Sequence, residues 1–166
     1  MHDDIQIHFG YLPGVIGRCT EMHARYYSRE VGFGQFFESK VALGMAEFSS
    51  RLDEPINGLW VATQGDRIVG TLAIDGQDLG EQTAHLRWFI VDDGVRGAGV
   101  GRLLMTEAMA FCDQNAFDAT QLWTFQGLDA ARRLYEQFGF TLAQEMPGTQ
   151  WGSEVTEQRF SRPRSS

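Results

Sequence analysis

The sequence predicts an α/β fold built on one mixed sheet, in the order β-α-α-β-β-β-α-β-α-β-β. Three observations carry this. The apolar pattern switches repeatedly between a two-residue and a 3.6-residue period. Helical segments follow the strands that end at Val91 and Phe125, so crossovers and parallel pairing are expected in the middle of the sheet. A turn holding Gly94, Gly97, Gly99 and Gly101 joins an apolar strand directly to a helix. The 166 residues suit a single domain, 1–166, with 161–166 read as a disordered tail.

The elements follow in order. Residues 5–9 alternate and read as a strand. Residues 15–29 carry Ile16, Cys19, Met22 and Tyr26 at helical spacing, and Gly32 and Gly34 break the helix. A second helix spans 36–48, with Phe37, Val41, Gly44, Met45 and Phe48 on one face. Residues 59–64 and 67–75 form a hairpin about Gly65-Asp66. Residues 83–91 form the next strand, with Leu86, Trp88 and Ile90 on one face and His85, Arg87, Phe89 and Val91 on the other. An amphipathic helix at 101–115 and a short strand at 120–125 come next. A helix at 129–138 has Asp129 as its expected N-cap and Gly139 as its stop. Strands at 140–145 and 155–160 close the chain around a loop that includes Trp151.

The formal net charge of −8 argues against nucleic acid or an anionic membrane as partner. An anionic ligand therefore needs a local positive cluster, for which Arg96, Arg102, Arg132 and Arg133 are the candidates. Cys19 and Cys112 stand far apart and form no CxxC pair, which fits a reducing cytoplasm. No apolar run reaches membrane-spanning length, and the polar start Met1-His-Asp-Asp is not that of a signal peptide. His2, His8, His23 and His85 have no metal-ligand spacing, so no metal is expected.

The glycine turn sets backbone N–H groups at a helix N-terminus, a site for a phosphate-bearing ligand. A P-loop is excluded, because Val100-Gly101 follows Gly99 where Lys-Ser/Thr is needed. The dinucleotide pattern G-x-G-x-x-G fails too, its third position falling on Arg102 or Leu104. The spacing that fits is Arg96-x-x-Gly99-x-Gly101, with Ala131-x-x-x-Tyr135-x-x-x-Gly139-Phe140 downstream. On these two motifs and the element order, the chain resembles the GNAT (GCN5-related) N-acetyltransferases over nearly its whole length. More loosely, the 86–91 strand and the 151–160 ending resemble GNAT domains fused to MarR-type regulators.

The resemblance implies a three-layer fold, its sheet splayed between the fourth and fifth strands. It implies acetyl-CoA as cosubstrate. Phe89, Ile90 and Val91 would meet the pantetheine, and Arg96, Gly97, Ala98, Gly99, Val100, Gly101 and Arg102 the pyrophosphate. Tyr135 would protonate the departing thiolate; otherwise its ring packs beside Leu134 and Phe138. The family's frequent Asn seven residues earlier is Leu128 here. Either the pantetheine has no such amide to meet, or Gln126 or backbone stands in for it. For a general base, His85, Arg87, Glu47, Asp75 and Glu81 are candidates, and water or a relay is the alternative. Tyr26, Tyr27, Phe33, Phe36, Phe37 and Trp151 would surround the acceptor, with Glu30, Glu38 and Glu47 placed to attract an ammonium group. The expected activity is acetyl transfer to a primary amine of a small molecule by direct attack in a ternary complex. The alternatives are a non-catalytic acyl-CoA-binding module and a protein N-acetyltransferase. A homodimer is expected by resemblance alone.

Overall fold

Seven strands form one sheet in the order β1-β2-β3-β4-β5-β7-β6, in a computed structural model that describes residues 4–165. His2 and most of the start Met1-His-Asp-Asp lie outside the described residues, as does Ser166. The chain runs β1 (Ile5–Phe9), α1 (Val15–Val31), α2 (Gln35–Ser49), β2 (Gly58–Gln64), β3 (Arg67–Asp75) and β4 (Thr83–Val91). It continues through α3 (Val100–Gln114), β5 (Ala119–Phe125), α4 (Asp129–Gln137), β6 (Thr141–Gly148) and β7 (Val155–Pro163). The predicted order holds throughout. Helices α1 and α2 cover one face through Cys19, Phe37, Val41 and Met45 in one cluster and, in another, through Val15 and Phe48 against Val61 of β2 and Ala73 of β3. Helix α3 covers the other face through Leu104, Met105, Ala108 and Cys112, against Leu72, Ile74 and Leu86.

All pairings are antiparallel except β4 with β5. The parallel contact after the first crossover is thus present, but the second crossover makes none, because β7 lies between β5 and β6. Burial gives the reason. All but the last residue of β6 is exposed, whereas β7 turns Gln158, Phe160 and Arg162 inward. The strand that can be buried takes the inner position, and β6, which carries Pro147, takes the edge.

Three further expectations are corrected. Strand β7 runs to Pro163, which pairs with Ala119, so 161–163 belong to the sheet rather than to a frayed tail. Asp129 is the first helical residue of α4; the N-cap is Leu128, without a side-chain cap. The strict alternation of β4 breaks at a bulge, where two residues, Trp88 and Phe89, face the single residue Leu72 between the Thr71–Ile90 and Ala73–Arg87 pairs. Trp88 has φ +48°, and its carbonyl accepts a hydrogen bond of 2.8 Å from Thr71 Oγ1. Past Arg87 the faces therefore exchange. Trp88 packs under α1 and α2, while Phe89 and Val91 join Leu86 beneath α3.

Candidate active site

The parallel ladder between β4 and β5 is short: Thr83, Ala84 and His85 pair with Ala119, Thr120 and Gln121, and then the strands part. Beyond His85 the β5-facing backbone of β4 has no strand beside it. Two cavities open around this split. A cleft of about 690 Å³ lies toward the α3 N-terminus. A smaller cavity of about 180 Å³ lies toward α1, α2 and the β6–β7 loop. Tyr27, Phe89 and Tyr135 line both.

The larger cleft collects nine of the ten residues expected to meet the donor: Phe89, Ile90, Val91, Arg96, Gly97, Gly99, Val100, Gly101 and Arg102. Ala98 does not line it; its N–H is turned back to Val95 O at 3.1 Å. Gly97 and Gly99 lie in the left-handed region at φ +86° and +81°, and a Cβ on either would meet open space. Gly99 is the N-cap of α3 and has no side chain to cap it. By helix geometry the N–H groups of Val100, Gly101 and Arg102 have no acceptor one turn back; the first to find one is Leu103, at Gly99 O, 3.0 Å. These donors point out of the helix with the dipole of 15 residues behind them, an arrangement suited to an anion. Arg96 donates to Asp93 at 2.7 Å and lies over the Tyr26 ring at 4.4 Å. Arg102 donates to Gln137. The expected positive cluster reduces to these two. Arg132 instead covers Phe160 and reaches Glu136, and Arg133 is exposed outside the cleft. Gly127 and Leu128 line the cleft where the family's Asn was expected, and Gln126 does not.

Tyr135 is 7% exposed and stands between the two cavities, its ring near Phe89, Phe140 and Phe160. Burial, with a smaller contribution from Tyr27, pushes the phenol well above its ordinary range, so it stays protonated at every physiological pH. Packing and a retained proton are therefore not alternatives at this residue.

The smaller cavity is walled by Tyr27, Phe37, Trp88, Trp123, Phe125 and Trp151. Of the expected acceptor aromatics, Phe33 is core at 2% exposure, Phe36 is 61% exposed, and Tyr26 belongs to the larger cleft. Among the described residues no carboxylate lines the smaller cavity. Glu30 borders the donor cleft, Glu38 lies on an outer groove, and Glu47 is bound to Arg51 at 2.6 Å. Asp75 is fully buried; burial raises its pKa, but hydrogen bonds from Arg51 and the backbone N–H groups of Gln77 and Asp78 outweigh this and hold it low. It is therefore an ion-pair anchor and a poor base. Glu81 is exposed and also outside both cavities. His85 does line the smaller cavity and donates from Nδ1 to Asp78 at 2.7 Å.

Two residues that sequence reasoning passed over line this cavity as well. His23 donates from Nδ1 to Cys19 O at 2.8 Å, which fixes the tautomer and leaves a lone pair on Nε2. Among the described residues no fully buried side-chain nitrogen lacks a partner. Nε2 has no protein partner, so it opens onto the cavity. Burial lowers the His23 pKa to about 4. Lys40, the only lysine in the sequence, donates to Gln150 O at 2.6 Å at the cavity mouth. Neither position carries a motif; only the helix phase of α1 and α2 hints at them. Among the described residues no cluster of His, Cys, Asp or Glu is placed to hold a metal ion, and no helix is long and apolar enough to cross a membrane.

Comparison with known proteins agrees with this geometry. The profile of the Acetyltransferase (GNAT) family matches residues 19–140, well over half of the chain. The N-acetylaspartate synthetase of Danio rerio is 29% identical over 120 residues, which cover 72% of this chain and 42% of that protein. The human N-acetylaspartate synthetase is 29% identical over 116 residues, 69% of this chain and 38% of that protein. The chain thus spans well under half the length of these relatives. Among solved structures, a GNAT-family acetyltransferase of Staphylococcus aureus Mu50 superposes with a TM-score of 0.77 at 18% identity, covering 98% of this chain and 100% of that one. The yncA protein of Salmonella typhimurium, solved with its cofactor acetyl-CoA, superposes with a TM-score of 0.73 at 16% identity, covering 98% and 95%. The looser likeness to regulator-fused domains finds no support in these relatives.

Proposed function

The chain belongs to the GNAT acetyltransferase family, and from that premise we propose that it moves an acetyl group from acetyl-CoA to a primary amine of a small molecule. The observation that carries this reading is the position of Tyr135, whose protonated phenol separates a cleft fit for an anionic donor from a small aromatic cavity.

The larger cleft fits the donor on its own chemistry. Free N–H groups at Val100, Gly101 and Arg102, with Arg96 and Arg102 beside them, meet a pyrophosphate. Each helix-end contact contributes about 0.3–2 kcal/mol, so several together offset the field of an acidic protein. The backbone along Phe89, Ile90 and Val91, with no strand on its β5-facing side, meets the amide-bearing arm. When bound, acetyl-CoA supplies an acyl thioester. Transfer joins the amine nitrogen to the acetyl carbon and breaks the carbon–sulfur bond. Tyr135 Oη delivers its proton to the leaving sulfur, and the surplus proton on nitrogen leaves through the acceptor cavity, where His23 Nε2 and His85 face it. The curated relatives are named for acetylating a small amino acid, which favours a small acceptor over a protein.

A thiol-release assay over a panel of primary amines tests the reading. Tyr135→Phe is expected to lower kcat by about 10²–10⁴-fold while acetyl-CoA still raises the melting temperature. At 100 times its Kd the donor adds about 2.7 kcal/mol. Unchanged turnover in Tyr135→Phe would remove the proton-donor role, and absence of a melting shift would remove the donor site. A shift without turnover of any amine would favour a binding module.

A further inference from the structure

We infer that the acceptor carries a carboxylate beside its amine, and that Arg87 and Lys40 bind that carboxylate. The inference rests on the reading of the smaller cavity as the acceptor site.

The charge of the lining is the first argument. The sequence has 22 acidic residues and a net charge of −8, yet among the described residues no Asp or Glu lines this cavity, whereas Arg87 and Lys40 do. In so acidic a chain, an all-cationic set of charges selects the ligand. A diamine or polyamine would place its second ammonium group against two cations with no carboxylate to receive it.

Geometry is the second argument. Arg87 is fixed from behind: Nη1 lies 3.2 Å from Asp75 and 3.6 Å from Asp78, and the guanidinium stacks on Trp88 at 4.0 Å. Asp75 is in turn held by Arg51 at 2.7 Å. Among the described residues nothing accepts from Arg87 Nε or Nη2, so one edge of the guanidinium fork is fixed and another is left for a ligand. Lys40 spends one of its three N–H donors on Gln150 O, which ties the β6–β7 loop to α2 and leaves two donors at the mouth. From α1 in the lining of the same cavity, the His23 Nε2 lone pair can accept an amine N–H. The cavity thus offers cationic donors and an accepting nitrogen in one lining, the complement of an amino acid.

Size is the third argument. A protein cavity of about 150 Å³ holds benzene. About 180 Å³ therefore admits a molecule of amino-acid size, while the mouth at Lys40 leaves room for a side chain to project.

The test compares matched acceptors in the thiol-release assay: aspartate and glutamate, their mono- and diamides, and putrescine. Aspartate and glutamate binding to the CoA-saturated protein is followed in parallel by calorimetry. Turnover is expected to concentrate in acceptors with a free carboxylate, and conversion of the recognised carboxylate to an amide is expected to lower kcat/KM about tenfold or more. Arg87→Gln is expected to raise KM for carboxylate acceptors about tenfold or more with little change in kcat. Lys40→Gln, an exposed change that spares the Asp75 network, is expected to act in the same direction on every acceptor with a free carboxylate, mono-amides included. Equal or better turnover of putrescine or of the diamides overturns the inference and leaves the acetyltransferase reading intact. So does an unchanged KM in both variants, or a protein whose melting temperature rises with acetyl-CoA but which neither binds nor acetylates any carboxylate acceptor. Loss of the acetyl-CoA shift itself would instead strike the donor site.

Discussion

Two glycines one residue apart in the donor turn are held for different reasons, and alanine separates them. Gly99 needs its backbone: φ is +81°, and a Cβ there would meet nothing. Alanine in that conformation costs about 1–2 kcal/mol, which for a domain of this length lowers the melting temperature by about 2–4 °C per kcal/mol. Gly101 needs its space. It is an ordinary helical residue, but a Cβ would stand 3.3 Å from Leu134 Cδ2 and 3.3 Å from Phe89 Cζ. Both neighbours line the donor cleft and would move into it, while alanine in a helix recovers up to about 1 kcal/mol of propensity. Gly99→Ala is therefore expected to melt lower in the ligand-free protein. Gly101→Ala is expected to melt near the wild type and to bind CoA more weakly by titration calorimetry. If Gly101→Ala bound CoA at full strength, close packing at this residue would have no part in shaping the cleft.

At the scale of elements, the sheet is locked by one side chain near the end of β7. Arg162 donates through Nη1 and Nη2 to both oxygens of Asp113 on α3, at 3.0 and 3.1 Å, and through Nε to Phe138 O at the end of α4, at 2.8 Å. It is 8% exposed and joins three elements with planar, bidentate geometry that lysine cannot reproduce. Arg162→Lys is expected to lose about 2–3 kcal/mol in urea unfolding, and Arg162→Ala about 3 kcal/mol, near the low end for breaking a buried pair because Asp113 stays partly wetted. A loss under about 1 kcal/mol would leave the β7 position to apolar packing of Phe160 alone. The same region marks the limit of what the sequence makes legible. Period and turn residues set seven strands and four helices within a residue or two at most ends, because those signals are local. The place of β7 between β5 and β6 was not legible, since it follows from which strand has more to bury once all are assembled. Nor was the bulge at Trp88, which depends on Thr71 across the sheet. The donor turn and Tyr135 could be read because both lie in contiguous motifs. The gathering of His23, Lys40 and Arg87 could not, because the smaller cavity draws single residues from α1, α2 and β4 that only tertiary packing brings together.

For the molecule as a whole, His23 sets how folding responds to mild acid. His23 is buried and neutral, its pKa lowered by burial to about 4 from an ordinary 6.5. Above pH 6.5 it is neutral in both states and stability is unaffected. As pH falls through 6.5 the unfolded chain takes up a proton that the folded chain refuses, so the unfolded state is favoured until the folded group titrates near 4. Over that window the loss approaches about 3 kcal/mol. The paired carboxylates act in a lower range. Asp75, Asp93 and Asp113 have folded pKa values held down by Arg51, Arg96 and Arg162, against an ordinary carboxylate value of about 4. Their stabilisation is complete above that value and fades only below it. Between about pH 6.5 and 5 the decline therefore belongs chiefly to His23. Chemical denaturation across this range is expected to give a falling stability in the wild type and a flatter line in His23→Gln, whatever the absolute stability of the variant. Parallel curves would mean that His23 takes up its proton in the folded state. Because Nε2 is the nitrogen that opens onto the acceptor cavity, that outcome would also remove the lone pair the cavity offers to an amine. The pH dependence of folding and the chemistry of the acceptor site thus turn on the same nitrogen.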